Sequence, residues 1–250
     1  MPHATAAWCV AAALAAGDGA FDHSAFDRLL KAHVVDGMVD YDAFSRAPGL
    51  PRYLDQLARA QPDTLSEKEQ LAYWINAYNA YTIRLVNAHG ERKSIRNIDK
   101  TLGVIKAMGP WKEEIVRAGG ETMSLDHVEH EIIRKRFREP RIHFALVCAA
   151  RSCPPLRREA YTGERLEAQL DDQARIFIAQ SPDQNRVDVE RATVHLSPIF
   201  TWFKDDFGPD LGRFLARYVS HGPERRLLES GKFKVVETPY DWSLNSREEP

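Results

Sequence analysis

The chain has 250 residues, 44% hydrophobic and 28% charged. That is enough for one domain with a core of its own, and it excludes a disordered tail, a collagen-like rod and a multi-span membrane protein. Lys plus Arg number 34 against 36 Asp plus Glu, a formal charge of -2. Nothing in that balance favours nucleic acid or an anionic membrane as a partner, and three cysteines are too few for a disulfide framework.

Residues 4–16 read ATAAWCVAAALAA, without a charge. A membrane span needs about 20 residues, so no transmembrane helix is expected here. The length suits the core of a signal peptide, with Leu14-Ala15-Ala16 before Gly17 as a cleavage site. The basic flank is missing, because no Lys or Arg precedes Arg28. The expectation is a targeting segment over 1–16, a periplasmic or secreted protein, and one globular domain over 20–245. An Ala-rich helix packed on the domain is the alternative. Export would leave Cys148 and Cys153 in an oxidising compartment, where they can pair.

Phe21 to Val35 has helical spacing and ends at Asp36-Gly37. Met38 to Tyr41 reads as extended, and Leu50-Pro51 opens a helix to about Ala60. Ser66 with Glu69 fits a capping box. The helix that follows, to about Ala88, is apolar nearly all round and is therefore a buried central helix. Lys112 to Leu125 predicts a hairpin about Gly119-Gly120. Ser124 or Asp126 caps a helix through about Phe137, ended by Pro140. Arg141 to Cys148 is a nearly continuous apolar run, predicted as a central strand. Gly163 to Gln180 is a helix, and Arg186 to Leu196 a second hairpin. Pro198 to Lys204 and Pro209 to Val219 are short helices, and Phe233 to Val236 is a last strand. The class is α+β: a single, mostly helical domain with short antiparallel strands around the buried helix.

Chemistry concentrates between Asp126 and Pro155, which hold His127, His130, His143, Cys148 and Cys153. One reading is a thiol nucleophile at Cys148. His130 is its base, Glu129 or Asp126 orients the imidazole, and Arg151 lowers the thiol pKa or holds an anionic substrate. Against it, Cys is often buried and inert. A zinc site of His127, His130, Cys148 and Cys153 is a second reading, without a recognised spacing. A Cys148–Cys153 disulfide is a third. His127 and His130 share one helix face, with Glu129 on another azimuth. On a strand, His143 and Cys148 would face opposite sides. Asn76 and Asn79, buried amides, either tie neighbouring loops or line a cleft. Asp205-Asp206 reads as a solvated acidic pair. No cofactor is expected, and the partner is a small-molecule or peptide-like ligand.

Six segments together resemble the domain-of-unknown-function family 547. They are AYWINAYNAYTI at 72–83, SIRNI at 94–98, GGETMSLDHVEH at 119–130, RIHFALVCAARSCPPL at 141–156, LSPIFTWFKDDF at 196–207 and YDWSLN at 240–245. The resemblance covers about residues 65 to 245. It implies special positions at Asn76, Asn79, Glu129, His130, His143, Cys148 and Cys153. Plant-type members keep a Cys at the position of Cys148 but can carry Ser at that of Cys153. The resemblance therefore favours Cys148 for a special role over an obligatory disulfide. The resulting expectation is a thiol-dependent hydrolase or acyl-transferase acting on amides or thioesters. Asn76, Asn79, His143 and Arg151 would contact substrate. The rival is a non-catalytic envelope binding module, in which the same residues form a buried polar network.

Overall fold

A computed structural model of the protein describes residues 19–98 and 109–247. The expected targeting segment over 1–16 lies outside the described residues. Phe26 and Leu30, one helical turn apart, are the buried face of α1 (Ser24–His33). Asp36 and Gly37, both at positive φ, fold the chain into a tight hairpin of β1 (Val34–Val35) and β2 (Met38–Val39). Two short helices follow: α2 (Tyr41–Arg46), capped by the Asp40 carboxylate, and α3 (Gly49–Arg59).

The Ser66 cap holds as expected: its hydroxyl accepts the Glu69 N–H at 3.4 Å and opens α4 (Glu67–Ala88). Every α4 residue from Leu71 to Ile83 is buried, so this helix is the axis of the fold. Its all-round apolar surface requires neighbours on every side, and the other elements supply them. The Gly119-Gly120 hairpin also forms, joining β3 (Val116–Ala118) to β4 (Glu121–Met123). Both glycines take positive φ, +62° and +82°, as the mirror-image turn of a tight hairpin requires.

Ser124 caps the next helix through the His127 N–H. It begins as α5 (Leu125–His127), widens into a π-helical segment over Val128–Ile133, and returns to α geometry as α6 (Arg134–Arg136). The predicted strand over 141–148 is not a strand. Residues Ile142–Ala145 form a short helix, α7, and only Leu146 onward is extended. The apolar run is continuous because it is buried on both sides, a pattern that a buried helix and a buried strand share. Asn79 fixes the transition: its side chain donates to the Ala145 carbonyl at 2.9 Å and accepts the Val147 N–H at 2.9 Å.

The C-terminal half adds α8 (Leu166–Ala179) and the antiparallel pair β5 (Arg186–Asp188) and β6 (Thr193–Leu196). It continues with α9 (Ile199–Trp202), α10 (Leu211–Ala216) and α11 (Pro223–Ser230). The last strand, β7 (Lys234–Glu237), pairs parallel to β6, the one parallel pairing among the named strands. Two apolar cores result. The larger surrounds α4; the smaller packs α8, the sheet and α9 to α11 around Phe177, Phe200 and Phe214. The short helix α7 joins them, with Phe144 in the small core and Ala145 and Leu146 in the large one. The fold is thus α+β and single-domain, dominated by helix.

Candidate functional site

A cleft of about 190 Å³ lies between α4, the π-containing helix, α9 and the C-terminal segment. Glu129, His130, His143, Cys148 and Cys153, all singled out in the sequence, line it together, and Asp126 joins them. Asp126, Glu129 and His130 stand at i, i+3 and i+4, so one helix face presents all three. His127 turns away to solvent. The expected pairing of His127 with His130, and the separation of His130 from Glu129, are both corrected. With α7 a helix, the opposite-face argument for His143 and Cys148 also falls, since both reach the same cleft.

Cys148 and Cys153 are joined by a disulfide at the mouth of this cleft. Cys148 is half-buried and Cys153 is buried. The Cys148 N–H points at Cys153 Sγ at 2.9 Å. The Tyr240 hydroxyl lies 3.3 Å from Cys148 Sγ and 3.5 Å from Cys153 Sγ. Between the cysteines, Ala149 takes φ +67°, a left-handed conformation that a residue with a Cβ adopts at a cost of roughly 1 kcal/mol. The C-terminal segment holds the loop there. Asn245 N–H donates to the Ala149 carbonyl, and Arg151 and Ser152 donate to Ser243 and Asp241. Among the described residues no cluster of three or more His, Cys, Asp or Glu is arranged to hold a metal ion.

The histidines have fixed roles. Arg134 Nη1 lies 3.0 Å from His130 Nδ1. An arginine only donates, so Nδ1 accepts and the proton of the neutral imidazole sits on Nε2. That nitrogen lies 3.8 Å from the Asp126 carboxylate. In this tautomer His130 Nε2 is a donor rather than a base. His143 Nε2 lies 2.7 Å from Asp206 Oδ2 and donates to it, while its ring stacks on Phe203 with centroids 3.9 Å apart. Burial pushes the His143 imidazole down to about 4; the Asp206 carboxylate pulls the other way and does not prevail. Asp206 also takes Arg134 in a bidentate pair at 2.6 and 2.8 Å, which holds its carboxyl below the usual range. The reading of Asp206 as solvated is corrected: it is the anchor of a His143–Asp206–Arg134–His130 chain.

Burial raises the Glu129 carboxyl, with His130 and the Tyr78 hydroxyl pulling it back. Burial also raises the Tyr240 hydroxyl, so Tyr240 stays a donor. Glu129 and the Cys148–Cys153 disulfide thus line one cleft.

Other sequence candidates lie elsewhere. Asn76, 1% exposed, donates to the Tyr161 carbonyl at 2.8 Å and accepts its N–H at 3.0 Å. Asn79 clasps Ala145 and Val147 in the same way. Neither lines the cleft; both pair with backbone as a neighbouring strand would, which is the loop-tying alternative weighed above. Arg151 points into a different and larger groove, on the other side of the disulfide loop.

Four aromatic residues complete the cleft wall: Trp111, Trp202, Tyr240 and Trp242. Tyr240 and Trp242 have ring centroids 4.5 Å apart, and Trp202 sits 4.9 Å from Tyr240. Trp202 is 49% exposed, unusual for a side chain of that size. Sequence reasoning missed these residues and Arg134. The available signals were the i+4 spacing of Arg134 from His130 and the aromatic content of TWF and YDW.

No curated protein and no solved structure matches the chain. The stretch 62–178 matches the model of a family described as a protein of unknown function, DUF547. That stretch holds α4, the π-containing helix, the disulfide loop and α8; the residues that close the cleft, from Trp202 to Trp242, follow it. The family resemblance read from the sequence is therefore met by this match over residues 62–178.

Proposed function

We propose that the domain is a thiol-based enzyme of the cell envelope, whose reactive pair is Cys148 and Cys153 and whose partner is a peptide-like molecule held in the aromatic cleft. The observation that supports this reading best is the setting of Cys153 Sγ. A backbone N–H at 2.9 Å already aims at it, and the Tyr240 phenol lies within reach of both sulfurs. Such donors stabilise sulfur as a leaving thiolate. Cys148 Sγ is the more accessible sulfur. A partner thiolate attacks it and forms a mixed disulfide, and the electron pair of the broken S–S bond leaves on Cys153. A second partner thiolate then displaces Cys148. The partner ends as a disulfide, the pair as two thiols, and the two protons pass from partner to cysteines with Glu129 as carrier.

A second reading keeps the expected acyl chemistry: once reduced, Cys148 attacks an amide or thioester carbonyl as a hydrolase or acyl-transferase. Opening the disulfide would free the Cys148 N–H as an oxyanion donor, and Glu129 lies in the same cleft to serve as base. The tautomer of His130 speaks against its use as that base.

The test uses folded protein and oxidised glutathione. Cys153→Ser should take up one glutathione on Cys148 and hold it. Cys148→Ser should react only after denaturation. A wild-type disulfide that resists dithiothreitol until the fold is lost would sink both readings and leave the non-catalytic module. Reduced wild type releasing thiol catalytically from a simple thioester, with the release lost in Cys148→Ser, would select the second reading.

A further inference from the structure

A second cavity, of about 780 Å³, is separate from the reactive cleft. It lies on the opposite side of the disulfide loop, and Cys153 and Pro154 line both. The segment from Arg151 to Arg158 forms much of its length, with α8 opposite. This stretch carries Pro154-Pro155 and spans at most roughly 25 Å, several residues of extended peptide.

The groove is charged at both ends of that segment. Arg151 and Arg158 make no ion pair with any described residue, though Asp241 lies near enough to Arg151 to feel its charge. Arg158 only donates to the Lys31 carbonyl at 2.8 Å. Arg157 differs, being held by Glu159 and Asp172. Of the carboxylates in the groove, Glu159 is shared between Arg157 and Arg165. That leaves Asp36 against Arg151, Arg158 and the Asp27-paired Lys31, so the groove is net positive.

Two amides between the charges have acceptors to spare. Gln173 is 1% exposed and its Nε2 donates to the Pro155 carbonyl at 2.6 Å. A carbonyl only accepts, so the orientation of this amide is fixed and Oε1 is left without a partner among the described residues. Gln184 donates to Ser152 Oγ at 3.1 Å, and its Oε1 is buried without a partner. Gln184 Oε1 is a buried acceptor in want of an N–H donor, and Gln173 Oε1 is a second acceptor with capacity to take one. The walls between them are aliphatic, from Met38, Leu156 and Ile176.

We propose that this groove is a second binding site, for an acidic peptide in extended conformation. Its carboxylates pair with Arg151 and Arg158, its backbone N–H groups donate to Gln173 and Gln184, and its aliphatic stems lie on the walls. Inorganic phosphate would satisfy the arginines and leave both amides unpaired. The site does not depend on the thiol chemistry of the cleft.

The test is calorimetric titration of oxidised wild type with acetyl-Glu-Ala-Glu-Ala-Glu-amide, its Gln counterpart, and inorganic phosphate. The Glu peptide should bind about tenfold more tightly than the Gln peptide. Arg151→Gln and Arg158→Gln, both exposed positions, should each weaken it by a similar factor and flatten its salt dependence. Glutathione uptake at Cys148, measured in the Cys153→Ser background, should be unchanged by either arginine substitution, which separates failure here from failure of the thiol reading. Equal binding of the two peptides, unchanged affinity in both variants, phosphate binding as tightly as the Glu peptide, or no binding at millimolar concentration would each overturn the proposal.

Discussion

His23 and His143 are 3% and 4% exposed, and burial holds each imidazole down to about 4 against an ordinary 6.5. The unfolded chain therefore takes up protons near pH 6.5 that the native state refuses until about pH 4. Between those values the unfolded state binds more protons, so stability rises with pH and is lost on acidification. The loss is complete near pH 4 and amounts to about 3 kcal/mol per histidine at most. Glu129 acts with the opposite sign. Its raised carboxyl is protonated earlier in the native state, which offsets part of the acid loss. Urea midpoints measured from pH 7 to 4.5 should fall steadily. In His23→Gln the slope should drop by one proton, with the His143 contribution left. A wild-type midpoint that does not move with pH would contradict this account.

Among the elements, the π segment Val128–Ile133 positions the cleft-lining side chains. A π turn holds one residue more than an α turn, and such insertions cluster at functional sites. Here the widened stretch carries Glu129 and His130 into the cleft and sets Arg134 to reach both His130 and Asp206. Deleting the exposed Glu131 should restore regular α geometry and turn Arg134 by about 100° relative to His130. We expect helix content to hold and the rate of glutathione uptake at Cys148 in the Cys153→Ser background to fall. An unchanged rate would show that the network does not tune the cleft. The central helix was legible in advance: Ser66 and Glu69 mark its start and an all-round apolar surface marks its depth. The 141–148 run was not, because burial on both sides erases the period that separates a helix from a strand.

For the whole molecule, the two cores are connected through α7. Phe144 is fully buried and packs on Phe177, Phe200, Phe207 and Phe214. Phe144→Ala should cost about 4 kcal/mol. If the cores fold as one unit, the variant should still unfold in a single transition by both circular dichroism and tryptophan fluorescence. Two separated transitions would make the cores independent folding units. The coupling bears on function, since Trp202 and Tyr240 come from the C-terminal half and Glu129 and Cys148 from the half around α4.

Some of this was fixed by local chemistry and needed no tertiary context. The Ser66 cap, the Gly119-Gly120 turn and the buried character of 71–83 depend on residues within a few positions of one another, so they can be read from the chain. The stretch 126–153 was recognisable as a concentration of His, Cys and carboxylate for the same reason. Which of those residues meet was decided only in three dimensions. His127 leaves the group and Asp206 enters it from more than sixty positions away. Arg151 faces a different groove from Cys148, three residues before it. Asn76 and Asn79 lie too deep to face either cavity, and they bind backbone instead. These outcomes turn on where α7 ends, how far the π segment rotates its side chains, and how the 240–245 segment pairs along the disulfide loop. Each depends on packing between parts of the chain far apart in sequence, and residue type and spacing do not encode that packing locally.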